Sequence, residues 1–150
     1  MDETMIANWN SKVKPNDDIY HLGDFTFGST DYAASILKRL NGNKFFIFGN
    51  HDKAIRDEAA DHFNWIRGYH EFKDNGKHIV LCHYAMRVWN RSHHGSIQLY
   101  GHSHGKLEAT PWGKSMDVGV DCHNFFPISL GEVSEIMDKR IAIPVESSNM

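Results

Sequence analysis

Five residues able to hold a metal ion recur in one local context. Asp24, Asn50, His83, His102 and His104 each fall just past a short run that reads as a β-strand. Carboxylate, amide oxygen and imidazole together suit a borderline divalent ion such as Mn²⁺, Fe²⁺, Zn²⁺ or Ni²⁺. Asp24 carries two oxygens and can bridge two ions. His102 and His104 lie two apart, so an extended backbone points both rings to one side, where they can serve neighbouring ions. Two ions about 3.5–4 Å apart form the clamp used in phosphoryl hydrolysis and bring bound water towards a pKa of about 7. His51, beside Asn50, is placed to contact a substrate rather than the metal. A lone Gly-Asp at a strand end is usually a turn, and a lone buried histidine is usually a hydrogen-bonded core group. The ordered set, each member after a strand, argues for one shared site at the edge where α/β sheets bind ligands.

The elements that must position these groups are readable. Asp2 caps a helix with Met5, Ile6, Trp9 and Val13 on one face, and Pro15 to Asp18 breaks it. Ile19 to Leu22 reads as a strand. A second helix, capped at Ser29, Thr30 or Asp31, places Tyr32, Ile36, Leu37 and Leu40 on its apolar stripe and stops at Asn41-Gly42-Asn43. Phe45 to Phe48 is a strand buried on both faces, which makes a parallel βαβ unit. A short helix follows from Lys53 to His62. Trp65 to Phe72 and His78 to Cys82 form a hairpin around Asn75-Gly76. Strands are expected at Ile97 to Tyr100, Ser115 to Val120 and Ile141 to Ile143. Ser129 and Glu132 make a capping box for a helix ending near Met137. His21, on its strand, reads as a core residue.

The chain has 150 residues, enough for one domain with a substantial core. Hydrophobic residues are 41% and charged residues 23%, which excludes a wholly disordered or collagen-like chain. The formal charge of −3 excludes a basic nucleic-acid scaffold, so no stable nucleic-acid complex is expected. Apolar runs such as Phe45 to Phe48 fall far short of the about 20 residues of a membrane span. The acidic start Met1-Asp2-Glu3 carries no secretory signal, so a cytoplasmic location and free thiols at Cys82 and Cys122 are expected. Eleven histidines exceed what a core needs. Arg91, His93 and His94, on the loop before the last histidine block, can bring cations to a phosphate and are taken as substrate-binding with Asn50 and His51.

Gly23-Asp24, Gly49-Asn50-His51-Asp52, the isolated His83 and Gly101-His102-Ser103-His104 resemble four of the five blocks of the calcineurin-like metallophosphoesterase family. The likeness runs from about Asp18 to Gly105, and Val118-Gly119-Val120-Asp121 resembles its small bacterial and phage members. The resemblance implies an α/β fold, a four-layer αββα sandwich. It implies that Asp24 bridges two metals, that Asn50, His83 and His102 complete one site, that His104 belongs to the other, and that His51 is the catalytic histidine. The family's opening Asp-x-His block has no counterpart here. The expectation is therefore a single domain over 1–150, shortened at its N-terminus and missing the first strand. One divalent metal site is expected to be strong, and the second, left with Asp24 and His104, weak or empty. The activity implied is metal-dependent phosphoester hydrolysis, of diesters more than monoesters, by metal-bound hydroxide attack on a nucleotide-like substrate. The competing reading is a non-catalytic metal-binding relic or scaffold. A missing strand also exposes a sheet edge, through which homo-oligomers can form, unless Ile141 to Val145 fills it.

Overall fold

The computed structural model describes residues 2–22, 30–49, 52–58, 60–101, 113–119 and 126–142. The fold is mixed α/β with two sheets. In chain order the elements are α1 (Asp2–Lys12), β1 (Asp18–His21), α2 (Thr30–Arg39), β2 (Asn43–Ile47), α3 (Lys53–Glu58), β3 (Trp65–Arg67), β4 (Tyr69–Asp74), β5 (Lys77–Cys82), β6 (Ile97–Tyr100), β7 (Ser115–Asp117) and α4 (Leu130–Met137). The first sheet has the order β1-β2-β3, all parallel. The second has the order β4-β5-β6-β7, with β4 antiparallel to β5 and the rest parallel.

Alternation along each strand sorts the two faces. On one side of the first sheet Phe46 joins Ile6, Trp9 and Val13 of α1 and its C-terminal flank, and Ala33, Ile36, Leu37 and Leu40 of α2 and its flank. His21 points the same way, its ring 5.6 Å from that of Phe46 and 6.5 Å from Trp9. It is half-buried there, in keeping with a core role. Tyr32 is 43% exposed, so the α2 stripe runs through Ala33 rather than Tyr32. The opposite side presents Leu22 and Ile47 to Ile79, Leu81, Ile97 and Leu99 of the second sheet, and Val133 and Met137 of α4 complete this second core. Tyr20 stacks on Phe72 across the sheets, with centroids 4.9 Å apart.

Three expected strands differ in the structure. The run Trp65 to Phe72 is not one strand but two, broken at Gly68. β3 extends the first sheet and β4 opens the second, so the chain changes sheets within a single residue. The edge of β2 captures Trp65–Arg67 by parallel pairing, while Tyr69–Asp74 is claimed by the hairpin with β5. The strand expected from Ser115 to Val120 ends at Asp117, and Ile141 and Ala142 are not in a strand, the rest of that segment lying outside the described residues. The hairpin turn is as expected, with Asn75 at φ 51 and Gly76 at φ 80, the left-handed pair that a two-residue turn requires. The α4 capping box also forms, Ser129 Oγ accepting from Glu132 N–H and Glu132 Oε1 from Ser129 N–H. Cys82 is a free thiol, whereas Cys122 lies outside the described residues.

The outer face of the second sheet is covered by residues 84–96. Trp89 is buried and donates to Ser96 O at 3.1 Å, so it is a packing residue. Asn90 donates to Glu71 on β4, and Tyr69 and His78 bond the same carboxylate. Gln98, fully buried inside an otherwise apolar strand, fills all four of its hydrogen-bonding positions. Its Nε2 donates to Tyr84 O and Leu99 O, and its Oε1 accepts from Met86 N–H and Ser115 Oγ.

Candidate metal centre

His83 stands one residue past β5 and is 1% exposed. Its Nδ1 lies 2.6 Å from the carbonyl oxygen of Leu22, one residue past β1. A carbonyl only accepts, so Nδ1 carries the proton, and in the neutral ring Nε2 carries the lone pair. Metal-binding histidines are held in this way, one ring nitrogen anchored to a carbonyl and the other directed at the ion.

The other strand ends meet the same ring. Gly49 stands two residues past β2. A Cβ placed on it would lie 2.7 Å from His83 Nε2 and Cε1 and 2.8 Å from Cδ2. The imidazole therefore rests on the backbone of Gly49, and only glycine leaves room for it. Gly101, one residue past β6, donates its N–H to His83 O at 3.1 Å, and a Cβ there would lie 3.2 Å from Leu22 O. Leu22, Gly49, His83 and Gly101 thus form one cluster, built from the C-terminal ends of four strands and both sheets.

Three of these positions lead directly into the sequence blocks. Asp24 follows Leu22 by two residues, Asn50 follows Gly49 by one, and His102 and His104 follow Gly101 by one and three. One residue spans about 3.8 Å. Asp24, Asn50, His51, His102 and His104 themselves lie outside the described residues. Among the described residues no group of three or more metal-ligating side chains occurs, which leaves the five-residue set resting on His83 and on where its neighbours in the chain converge. The residue types suit a borderline divalent ion: one imidazole whose tautomer is set by the Leu22 carbonyl, with a carboxylate, an amide and two further imidazoles close by in the sequence.

Gly49 and Asp52 are bonded to each other. Gly49 N–H donates to Asp52 Oδ2 at 2.6 Å, and Asp52 N–H donates back to Gly49 O at 3.3 Å. Asp52 is fully buried. Its carboxylate pins the two ends of the tetrapeptide that carries Asn50 and His51.

Arg91, His93 and His94 are not brought to this cluster. His93 and His94 sit on a 3₁₀ turn, Ser92–His94, that delivers the chain to the start of β6. Because β5 and β6 are parallel, the connection from His83 must return along the whole sheet before β6 begins. Ile97 and Gly101 are four residues apart, about 13 Å along a strand. The basic turn stands at the start of β6, the opposite end of that strand from Gly101. Sequence reasoning passed over Tyr84, whose ring packs edge-on against His83 with centroids 4.9 Å apart, and Gln98, which holds the backbone of Tyr84. A polar residue in the middle of Ile97-Gln98-Leu99-Tyr100 was the available signal for the latter.

No family model matches the chain. The crystal structure of a protein of unknown function, AQ665 from Aquifex aeolicus, shares the fold with a TM-score of 0.67 and 23% identity, over 90% of this chain and 84% of that one. The uncharacterized protein MJ1445 of Methanocaldococcus jannaschii is 32% identical over 146 residues, which span 93% of this chain and 76% of the relative. On that identity and coverage, the chain belongs to the same family as MJ1445.

Proposed function

We propose that the protein is a metal-dependent phosphoesterase, acting on phosphodiesters in preference to monoesters, with a four-layer αββα sandwich of the calcineurin-like type. The observation that carries the reading is the seat of His83: its ring bridges Leu22 and Gly49 and its carbonyl holds Gly101, so the chain segments that introduce Asp24, Asn50, His102 and His104 all start from one point. The helices packed on the first sheet, and that sheet facing the second, are in keeping with the sandwich.

In this reading Asp24, Asn50, His83 and His102 hold the stronger divalent ion, and Asp24 with His104 the weaker. A bound ion supplies Lewis acidity and lowers the pKa of the water it holds. His83 is kept in one tautomer by Leu22 O and needs no reorganisation to bind. Asp52 fixes the ends of the segment bearing His51, which protonates the departing ester oxygen. The substrate is a phosphoester, nucleotide-like in class.

The test is hydrolysis of bis(p-nitrophenyl) phosphate with Mn²⁺, Fe²⁺, Zn²⁺ or Ni²⁺, alongside metal binding by calorimetry. His83→Ala is expected to lower metal affinity by at least tenfold and rate with it. His51→Ala is expected to keep the metal and lose rate by 10²-fold or more. Metal binding without turnover for any ion identifies a non-catalytic metal-binding protein instead, and binding of no ion refutes both readings.

A further inference from the structure

The residue that follows His83 is the one large aromatic side chain that the described part of the cluster exposes. Tyr84 is 45% exposed, yet its ring packs edge-to-face on the fully buried His83 ring, at 4.9 Å and 79°. The backbone that bears this ring is held by hydrogen bonds. The carbonyl of Tyr84 accepts from Gln98 Nε2 at 3.2 Å, and two residues on, Met86 N–H donates to Gln98 Oε1 at 3.1 Å. On the other side, the carbonyl of His83 is bonded to Gly101 N–H. The backbone bearing Tyr84 is thus stapled on both sides, on one of them by a glutamine that has no solvent exposure and no unused hydrogen-bonding position. A fixed backbone presenting a rigid ring with two side-chain torsions loses little freedom when something stacks on it.

We propose that Tyr84 is a specificity-determining residue of the centre at His83: its ring is a side wall that stacks on a planar aromatic substituent of the phosphoester, a nucleobase or an aryl group. This rests on the phosphoester reading above and narrows its substrate class. A ring 4.9 Å from the candidate ligand histidine lies within reach of the groups attached to a phosphate held there. Every base and every aryl ester offers a π-face, so such a wall selects for the presence of an aromatic group and tolerates its identity.

The experiment compares Mn²⁺-loaded protein with AMP, phenyl phosphate and ribose 5-phosphate as ligands, by calorimetry, which reads binding rather than turnover. The expected result is that AMP and phenyl phosphate bind about tenfold tighter than ribose 5-phosphate, that Tyr84→Ala brings the ratios close to one, and that Tyr84→Phe preserves them. A ratio present for AMP alone assigns the wall to nucleobases, and one for phenyl phosphate alone to aryl groups. The proposal is overturned if the wild type shows no aromatic preference, or if Tyr84→Ala keeps it. If none of the three phosphates binds, the phosphoester reading itself falls, and this inference with it.

Discussion

Replacing Gly49 by alanine tests the geometry of the centre without any assumption about chemistry. The new methyl group falls 2.7 Å from two atoms of the His83 ring and 2.8 Å from a third. Apolar contacts settle at about 3.5–4.0 Å, so ring and backbone must separate by about 0.8 Å. The ring has nowhere to go: it is buried, and its Nδ1 is held at 2.6 Å by Leu22 O. Gly49 is equally fixed, by its pair of hydrogen bonds with Asp52. Overpacking of this kind costs roughly 1–3 kcal/mol, and loss of the Leu22 bond adds about 1 kcal/mol. The stiffer unfolded chain returns about 0.4–1 kcal/mol. The net loss is about 2 kcal/mol, a fall in Tm of roughly 4–8 °C for a chain of this size. Thermal melts of the wild type, Gly49→Ala, His83→Ala and the double variant form a cycle. With the imidazole gone, the alanine is expected to cost nothing or to stabilise slightly, giving a coupling energy of about 2 kcal/mol. An equal penalty for Gly49→Ala in both backgrounds would refute the contact and, with it, the cluster.

Gln98→Leu removes the partner of Tyr84 O, Met86 N–H and Ser115 Oγ together, and a loss of roughly 2–4 kcal/mol is expected in urea unfolding; a change under 0.5 kcal/mol contradicts it. Glu71 accepts from Tyr69, Asn90 and His78, which pull its carboxyl from 4.5 down to about 2. Its folded pKa is the lower one, so the contribution is complete above about pH 4.5 and fades as pH falls towards 2. Glu71→Gln is therefore expected to flatten the acid limb of a stability profile in that window, and an unaltered limb argues against the cluster. Ser129→Ala, which opens the capping box of α4, is expected to cost about 1 kcal/mol in the same unfolding assay.

Most of the strand ends were legible because each short apolar run stops abruptly at a polar or glycine residue: Leu22 before Gly23, Phe48 before Gly49, Tyr100 before Gly101. The change of sheet at Gly68 was not, because Trp65 to Phe72 keeps strand-like residues on both sides of the break, and local pattern carries no information about which sheet an edge will join. The remoteness of Arg91, His93 and His94 follows from β5 and β6 lying parallel, a long-range fact. A loop next to a histidine block in sequence can begin at the wrong end of the strand that carries it. The seat of His83 combines both cases. That a histidine follows Cys82 is plain, but its bond to Leu22 joins residues 61 apart and depends on how the sheets face each other.

Leu22 and Gly49 follow strands of the first sheet, and His83 and Gly101 follow strands of the second. The imidazole is consequently a gauge of alignment between them. Its Nδ1 proton, locked to a carbonyl of the opposing sheet, has a resonance that registers any sliding of one layer over the other, with or without a ligand. Whatever occupies the rim must be tuned to that alignment, and changes in the core beneath it, among Ile47, Ile79 and Leu99, can reach the centre by tilting the layers that hold this one ring.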